Sequence, residues 1–289
     1  MKSIIQKTIL NDFSFYVKRD DLLGDINGNK ARKLAYFIEN KEKFKNKCFV
    51  SFGSSQSNAL VALSIFTYEN NIKLIFVCEK ISNYLKQNPS GNYAIALKNK
   101  ANIIENTTHI NARSKAMSLL KNDDIFIEEG VAIKQSEYGF IQLAKEIKEQ
   151  SKKLNIKFDI FLPSGTGTSA AFLAKHSDFE VFTTACVGGN DYLKKQILAL
   201  EPNFDFNKIH ILDIDKKFHF ANLYKEHISL YKNSLKQCNI EFDLLYDMIG
   251  LRAMLINKKI FKNPVLYIHQ GGILGNETML ERYKYKKLY

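Results

Sequence analysis

One lysine of this chain stands where it could act as a nucleophile. Lys30 follows Gly28 and Asn29 and comes directly before an apolar-periodic run that predicts a helix. The positive end of that helix, together with Arg32 and Lys33, disfavours the ammonium form of Lys30 and makes its neutral amine more accessible. A neutral lysine amine can form a Schiff base with a carbonyl compound. Lys30 is therefore a candidate for covalent catalysis.

A second group of polar residues ends a predicted strand and opens a predicted helix. Residues 51–58 contain four serines with Gln56 and Asn58. Hydroxyls, amides and free backbone N–H groups at a helix N-terminus can bind a carboxylate or a similar anion. Alternatively, Ser55 or Ser57 only caps the helix, and the sequence leaves both interpretations open.

A third group follows the predicted buried strand at residues 158–162. It consists of six small polar residues, Ser164, Gly165, Thr166, Gly167, Thr168 and Ser169. Such a loop at a helix start can form a phosphate cradle, because backbone N–H groups and hydroxyls face the ligand without bulky side chains. An ordinary strand-to-helix turn is the alternative, although six small polar residues exceed what a turn needs. The P-loop ending Gly-Lys-Ser/Thr is missing.

The same loop also fits a relaxed dinucleotide fingerprint, through the spacing Gly165-x-Gly167-x-x-Ala170. The next predicted strand lacks the acid that would bind a ribose, but Asp191 lies close to its end. A dinucleotide-dependent oxidoreductase is therefore a competing hypothesis.

A fourth group lies near the C-terminus. Tyr246 and Asp247 head a predicted helix and could supply an acid–base hydroxyl and a carboxylate. A helix cap plus a core tyrosine is the alternative, and these two residues alone favour it. Tyr267 and His269 alternate with apolar residues on a predicted strand, which gives one polar face and one core face. Two glycines, 271 and 272, then allow a close approach of the backbone.

These groups need a framework of strands and helices to bring them together. Short β-branched or aromatic runs alternate with longer amphipathic stretches, which predicts an α/β fold built from βα units around mostly parallel sheets. The predicted strands are residues 48–52, 74–78, 102–105, 125–128, 158–162, 181–187, 209–214 and 265–269. The predicted helices are residues 31–43, 57–69, 92–99, 113–120, 137–154, 170–176, 192–200, 221–237 and 244–257. One small sheet does not hold this many strands comfortably.

Composition and charge exclude several classes of protein. The 289 residues are 45% hydrophobic and 25% charged, as in ordinary globular proteins. We find no apolar run of the roughly 20 residues that a membrane helix needs and no signal-peptide pattern, so we expect a cytoplasmic protein that does not contact membrane. Scattered cysteines and histidines argue against a metal site. Although the net charge is +12, basic residues interleave with acids, so we expect no nucleic-acid partner.

Taken together, the four groups resemble a family of pyridoxal 5'-phosphate (PLP) enzymes. The family contains 1-aminocyclopropane-1-carboxylate (ACC) deaminase and D-cysteine desulfhydrase, which share the tryptophan synthase β-subunit fold (fold type II). The match runs in the same order from residue 17 to residue 272, and residues 18–22 leading to 28–34 are its most specific piece. The resemblance implies a homodimer and two lobes. Residues 1–35 and 136–289 would form the larger PLP-binding lobe, and residues 36–135 the smaller one.

The resemblance also implies roles for the polar residues. Lys30 would bind PLP covalently and act as the base at Cα, Ser57 would contact the substrate carboxylate, and Asn58 would bond to the phenolic oxygen of PLP. Gln56 would be a further substrate contact. The predicted phosphate loop comprises Ser164, Gly165, Thr166, Gly167 and Thr168.

Two further positions refine the expected activity. Tyr246 matches the family's catalytic tyrosine and is expected to contact substrate, and Asp247 stands where a glutamate more usually faces the pyridine nitrogen. Phe220 stands where the deaminase has a second tyrosine, and whether Tyr224 or His219 substitutes is left open. Ring opening of ACC depends on that hydroxyl more than simple elimination does.

We therefore expect a PLP-dependent lyase or deaminase that acts on a small amino acid by α,β-elimination. The D-cysteine desulfhydrase type, which releases a keto acid, ammonia and sulfide, comes first, and ACC deamination is the alternative. A dinucleotide-dependent oxidoreductase and a non-catalytic PLP-binding protein are alternatives of other classes.

Overall fold

Two β-sheets organise the chain, and the computed structural model describes residues 1–107 and 109–289. The first sheet contains β1 (Ile5–Leu10), β2 (Phe13–Lys18), β7 (Asp159–Ser164), β8 (Val181–Ala185), β9 (Ile209–Ile211) and β10 (Val265–Ile268). The second contains β3 (Cys48–Phe52), β4 (Lys73–Cys78), β5 (Asn102–Glu105) and β6 (Ile125–Ile127). The strand orders are β1-β2-β10-β7-β8-β9 and β5-β4-β3-β6. Strands β1 and β2 pair antiparallel, and the remaining pairs are parallel.

Helices connect most of the parallel strands. They are α1 (Gly28–Glu39), α2 (Asn58–Glu69), α3 (Asn83–Gln87), α4 (Gly91–Lys98), α5 (Ala112–Ser118), α6 (Glu137–Leu154), α7 (Thr168–His176), α8 (Asn190–Leu200), α9 (Lys225–Cys238), α10 (Asp247–Ile256) and α11 (Asn276–Tyr285). Within the described ranges, we find no helix that is both long and apolar enough to cross a membrane.

Most of the strands and helices predicted from the sequence are present. The differences in their bounds have local causes in the backbone conformation. All eight predicted strands are present, and the helix at Glu137–Leu154 has the predicted bounds. Helix α9 begins at Lys225 rather than at residue 221, because Ala221 has a φ of +61°, which a right-handed helix does not allow. The hairpin β1–β2 was not predicted. It turns at Asn11 and Asp12, both with positive φ, which is the conformation of a tight hairpin turn.

The central strands of the first sheet are buried on both faces. Strand β7 is buried at every position, as expected of a central parallel strand. Its residues Ile160 and Leu162 pack with Phe140 of α6 and Phe172 of α7, while Phe161 packs on the other face with aromatic and aliphatic residues of β10 and α10. Because β7 is fixed on both faces, the loop that follows it leaves the sheet at a defined position.

The second sheet and helices α2–α5 lie within residues 36–135, the range predicted for the smaller lobe. Helix α1 crosses the predicted boundary at residue 35, and it packs against both α2 and α6. The division into lobes at residues 35 and 135 stays a prediction. Helix α1 is the element through which the two parts of the chain share packing.

A buried cluster of four charges fixes helix α1. The Arg32 guanidinium forms ion pairs with Asp20 (2.7 Å) and with Glu146 of α6 (2.9 Å), and Glu146 also pairs with Lys18 of β2. Each side chain of these pairs is at most 5% exposed. Two positive and two negative charges balance one another without solvent. The cluster therefore joins α1, β2 and α6 at a fixed geometry just after Lys30.

We expect Arg32→Met to lower the free energy of unfolding by about 3–5 kcal/mol, because it leaves the buried carboxylate of Asp20 without its ion pair and Glu146 with Lys18 alone. Urea denaturation followed by circular dichroism measures the loss. Glu42→Gln, which breaks an exposed pair with Lys45, should cost much less, because solvent screens that pair. Equal losses in the two variants would contradict the assignment of the buried cluster as a structural anchor.

Candidate active site

A cavity of about 710 Å³ lies at the carboxyl ends of β3, β7, β8 and β10. Ligands of parallel α/β sheets bind at such ends, where loops and helix N-termini converge. Its walls include every predicted site residue, namely Lys30, Gln56, Ser57, Asn58, Ser164, Gly165, Thr166, Gly167, Thr168, Tyr246 and Asp247, together with Phe220. The structure therefore brings the four groups of the sequence to one place. Their individual roles stay predictions.

The Lys30 amine is held in a largely dehydrated position. The side chain is partly accessible through the cavity, but its amine is enclosed by protein, and this burial lowers the pKa of Lys30 to about 8. Asp243 opposes that change electrostatically. Nζ donates a hydrogen bond to Oδ1 of Asn29 (2.8 Å). About a tenth of the amine is therefore neutral at pH 7.

The predicted direction of this pKa change is confirmed, but its largest cause is burial, which the sequence did not indicate. The Arg32 guanidinium is occupied by Asp20 and Glu146, so it does not act on Lys30 as an unbalanced charge. Burial, not cationic neighbours, favours the neutral amine of Lys30.

Gly28 lets the backbone before Lys30 touch the loop after β10. The N–H of Asn29 donates to the carbonyl oxygen of Gln270 (3.0 Å), and the Asn29 amide donates to the Gln270 side chain (3.1 Å). A Cβ at Gly28 would lie 1.8 Å from the Gln270 carbonyl oxygen, and the φ of Gly28 is +57°. Only glycine permits this approach, which fixes the start of α1.

Ser57 caps helix α2. This confirms one of the two interpretations of the polar residues 51–58. Its hydroxyl accepts a hydrogen bond from the N–H of Ala59 (3.1 Å). The hydroxyl also lines the cavity, where the first N–H groups of α2 are available to an anion. A capping role and a carboxylate-binding role are therefore compatible at Ser57.

The neighbouring amides are partly committed to helix α4. The Gln56 side chain donates to the Ser90 carbonyl (3.1 Å) and accepts from the N–H of Asn92 (3.0 Å). Asn58 accepts from the Asn92 side chain through Oδ1 (2.8 Å), which leaves its Nδ2 for the cavity. Gln56 thus holds the start of α4, and its predicted substrate contact stays a prediction.

The loop after β7 presents backbone donors to the cavity. Helix α7 begins at Thr168, and no side chain caps its N-terminus, so its first N–H groups lack an intrahelical acceptor. Thr168 and Ser169 are buried, and the hydroxyls of Thr166 and Thr168 lie 2.9 Å apart. Uncapped donors at a buried helix N-terminus suit a phosphate group.

Tyr246 and Phe220 form an aromatic wall of the cavity. Their ring centroids are 5.0 Å apart, and Gly165 lies against the Tyr246 ring. Burial and the nearby Asp243 raise the pKa of Tyr246, so its phenol is protonated at neutral pH and can donate a proton. Tyr224 and His219 lie outside the cavity wall, and the Tyr224 hydroxyl instead accepts from the N–H of His219 (2.9 Å).

Asp247 is buried in the cavity wall and accepts one hydrogen bond from the fold at each carboxyl oxygen. Oδ1 accepts from the Tyr267 hydroxyl (2.6 Å) and Oδ2 from the N–H of Asp243 (2.9 Å). Burial raises the pKa of Asp247. His269 lies 3.9 Å from Asp247; its Nδ1 accepts a hydrogen bond from the N–H of Gly271, and its Nε2 lies 2.7 Å from the carbonyl oxygen of Glu241. A carboxyl group in this position can share a proton with a ring nitrogen.

Two charged residues of the cavity wall, Lys33 and Asp243, were not predicted as site residues. Lys33 is buried, and its Nζ donates to the carbonyl of Gly130 (2.8 Å) beside the loop after β7. Its spacing of three residues from Lys30 on one helix was the available signal. Asp243, four residues before Asp247, also lines the cavity. Within residues 1–107 and 109–289, no group of three or more His, Cys, Asp or Glu side chains is arranged to hold a metal ion.

Comparisons with known proteins cover nearly the whole chain, although no protein-family model matches it. A curated protein of Thermotoga maritima with the provisional name of 1-aminocyclopropane-1-carboxylate deaminase is 26% identical over 91% of this chain and 90% of its own length. A protein of Cryptococcus neoformans, named provisionally in the same way, is 24% identical over 89% of this chain and 84% of its own.

Solved structures share the fold. A crystal structure described as that of an ACC deaminase homologue matches with a TM-score of 0.79 and 19% identity, covering 97% of this chain and 94% of that one. A hydrogen sulfide-producing enzyme of Fusobacterium nucleatum matches with a TM-score of 0.66 and 16% identity, covering 94% and 96%. The resemblance and the α/β fold of the tryptophan synthase β-subunit type are therefore confirmed.

We expect Gly28→Ala to destabilise the protein more than Gly24→Ala. On backbone conformation alone the order would be reversed, because the φ of +116° at Gly24 lies further from the left-handed region than the +57° at Gly28. However, nothing lies within 4 Å of a Cβ at Gly24. The clash with Gln270 should cost about 3 kcal/mol, against about 1–2 kcal/mol of backbone strain at Gly24. Urea denaturation decides between them, and a smaller loss in Gly28→Ala would refute the close approach.

Proposed function

We propose that the protein is a PLP-dependent lyase or deaminase that removes a leaving group from Cβ of a small amino acid, with D-cysteine as the first candidate substrate. The single observation that carries this proposal is the placement of the Lys30 amine, with its pKa lowered to about 8, in the same cavity as the uncapped N-terminus of α7. A nucleophilic amine and a phosphate site are the two anchors that PLP requires. The named relatives and structural counterparts support the assignment.

The residues of the cavity fit PLP in each of its polar parts. Lys30 would hold its aldehyde carbon, the loop from Ser164 to Thr168 its phosphate, and Asn58 its phenolic oxygen. Asp247 would face its ring nitrogen with a carboxyl group whose pKa is already raised. When bound, PLP supplies a sink for the electron pair that remains on Cα after proton removal.

The residues of this chain perform the proton transfers. The Lys30 amine takes the Cα proton as general base, since its lowered pKa keeps part of it neutral near pH 7. Ser57 and the first N–H groups of α2 bind and orient the substrate carboxylate. The Tyr246 phenol gives a proton to the departing thiolate as the Cβ–S bond breaks. The enamine that is released then hydrolyses to a keto acid and ammonia.

Phe220 favours elimination over ring opening. Its ring lies beside Tyr246, and the resemblance implies that the deaminase has a second tyrosine at this position. ACC has no Cα proton, so ring opening relies on groups that act near Cβ, whereas elimination uses Lys30. The names of the two curated relatives make ACC deamination the second candidate.

A dinucleotide-dependent oxidoreductase is a weaker alternative. Asp191, which kept that hypothesis open, is exposed on α8, away from the cavity wall. The resemblance leads us to expect a homodimer, and the sequence composition leads us to expect a cytoplasmic protein.

Assays with D-cysteine, L-cysteine and ACC test the proposal. The protein supplied with PLP should release sulfide and keto acid from D-cysteine in equal amounts, and Lys30→Ala should not. PLP binding without turnover of any of the three would support a non-catalytic binding protein instead. Failure to bind PLP would contradict the proposal altogether and restore the oxidoreductase hypothesis.

We expect Phe220→Tyr to shift activity toward ACC. The added hydroxyl would lie beside Tyr246 and provide the missing acid–base group, so keto acid formation from ACC should rise at least about tenfold. The sulfide release rate from D-cysteine should change by less than about threefold, because Lys30 performs that proton abstraction. Both rates are measured on the same preparation, which makes D-cysteine the internal control. A parallel loss of both activities would count against this role of residue 220.

A further inference from the structure

Three consecutive hydrogen bonds connect the Lys30 amine with strand β7. Nζ of Lys30 donates to Oδ1 of Asn29 (2.8 Å), and Nδ2 of Asn29 donates to Oε1 of Gln270 (3.1 Å). Nε2 of Gln270 donates in turn to the carbonyl oxygen of Pro163, the residue directly before Ser164. The side chains of Asn29 and Gln270, which we call the amide relay, therefore link the amine to the start of the predicted phosphate loop.

The groups at the two ends determine the direction of the amide relay. The Lys30 ammonium offers only donors, and the Pro163 carbonyl offers only an acceptor. The amide oxygen of Asn29 must therefore face Lys30, and the amide nitrogen of Gln270 must face Pro163. In these orientations Nδ2 of Asn29 meets Oε1 of Gln270 as donor and acceptor. Each amide thus has one orientation that satisfies all three hydrogen bonds.

Main-chain contacts hold both ends of the amide relay. The N–H of Asn29 donates to the carbonyl oxygen of Gln270 (3.0 Å), so the two residues are joined through the main chain as well as the side chains. Pro163 is buried in β7, and a Cβ at Gly250 of α10 would lie 3.0 Å from its ring. Strands β7 and β10, which precede Pro163's loop and Gln270, are neighbours in the first sheet. The amide relay is therefore supported by fixed backbone.

The bond to Asn29 is the direct polar contact of the Lys30 amine. Within the described residues, none of the other charged side chains of the cavity wall forms a hydrogen bond or an ion pair with this amine. These side chains are Lys33, Glu129, Asp243, Asp247, Glu281 and Arg282. Variants at residue 29 leave all of these groups in place, so a change in the titration of Lys30 reports the contact with Asn29.

This contact restricts the amine in both of its protonation states. A lysine side chain is a flexible stem with rotatable donors. An N–H that is engaged by a fixed acceptor limits this rotation, and the lone pair of the neutral amine then points away from Asn29. The acceptor also stabilises the ammonium form more than the neutral form, because hydrogen bonds from a charged donor are stronger.

We propose that Asn29 and Gln270 are positioning residues for Lys30, and that the amide relay fixes the direction of its amine relative to the loop that begins at Ser164. Hydrogen bonds, and not packing alone, then hold the amine and the loop in a defined arrangement. This inference rests on the proposed function only for the use to which the Lys30 amine is put.

Competitive acetylation of the full chain without PLP tests the proposal. Trace acetic anhydride is applied from about pH 5.5 to about pH 10, and peptide mass spectrometry quantifies Lys30. Asn29→Ala removes the acceptor, so the acetylation midpoint of Lys30 should fall by about half a pH unit. Asn29→Asp keeps an acceptor and adds a negative charge, so the midpoint should rise by about one pH unit. General loosening of helix α1 would not produce opposite shifts at one position.

Gln270→Met tests the second part of the amide relay. Methionine is about as long as glutamine but has no amide group, so the Asn29 side chain loses the partner that orients it. The midpoint of Lys30 should fall less than in Asn29→Ala. The double variant Asn29→Ala/Gln270→Met should match Asn29→Ala, because Gln270 acts through Asn29. Additive shifts in the double variant would overturn the amide relay.

Asn27→Ala is the matched control. Asn27 lies two residues before Asn29, and its Nδ2 donates to the carbonyl oxygen of Gly24 (3.2 Å), so the midpoint of Lys30 should not change. Unchanged midpoints in folded Asn29→Ala and Asn29→Asp proteins, verified by circular dichroism, would overturn the proposal. If Asn29→Ala does not fold, Asn29→Asp decides in its place. The acetylation profile does not depend on PLP, so failure of PLP binding and failure of this inference are separate results.

Discussion

Dehydration of the Lys30 amine is the physical constraint on which the site depends. A lysine in water is almost entirely an ammonium ion at neutral pH and is a poor nucleophile. Enclosure by protein lowers its pKa to about 8, which makes part of the amine reactive. The same enclosure must leave access for a substrate, so the amine has to lie at the edge of a cavity rather than inside the core. The fold satisfies both requirements by placing Lys30 at a helix start next to the carboxyl ends of the strands.

Contacts on both sides of Lys30 in the chain fix the position of its amine. The ion pairs of Arg32 with Asp20 and Glu146 fix the helix behind the amine, and the contact of Gly28 with Gln270 fixes the backbone before it. The buried strand β7 places the phosphate-type loop opposite the polar run that opens α2. The carboxyl groups of Asp243 and Asp247 also lie in the cavity wall. Stability and site geometry are therefore produced by the same contacts.

The features that were predicted correctly from the sequence are those that depend on neighbouring residues, namely the strands, the helices and the loops between them. Hydrophobic periodicity identified eight of the ten strands, and small polar residues after apolar runs identified the loops that line the cavity. The hairpin β1–β2 was missed because its turn, Asn11-Asp12, lacks the glycine that usually marks a tight hairpin. The cause of the Lys30 pKa change, and the parts played by Lys33 and Asp243, depend on which distant segments enclose each side chain. One sequence carries no direct signal for such tertiary contacts.

Trapping the covalent adduct tests the central claim most directly. The protein is mixed with PLP, reduced with sodium borohydride and digested, and the peptide that carries the pyridoxyl group is sequenced by mass spectrometry. We expect one pyridoxyl group per chain, attached to Lys30. The modification should be lost in Lys30→Ala. Modification of Lys33 instead, although it lines the same cavity, or of surface lysines without preference, would contradict the assignment of Lys30 as the nucleophile of this site.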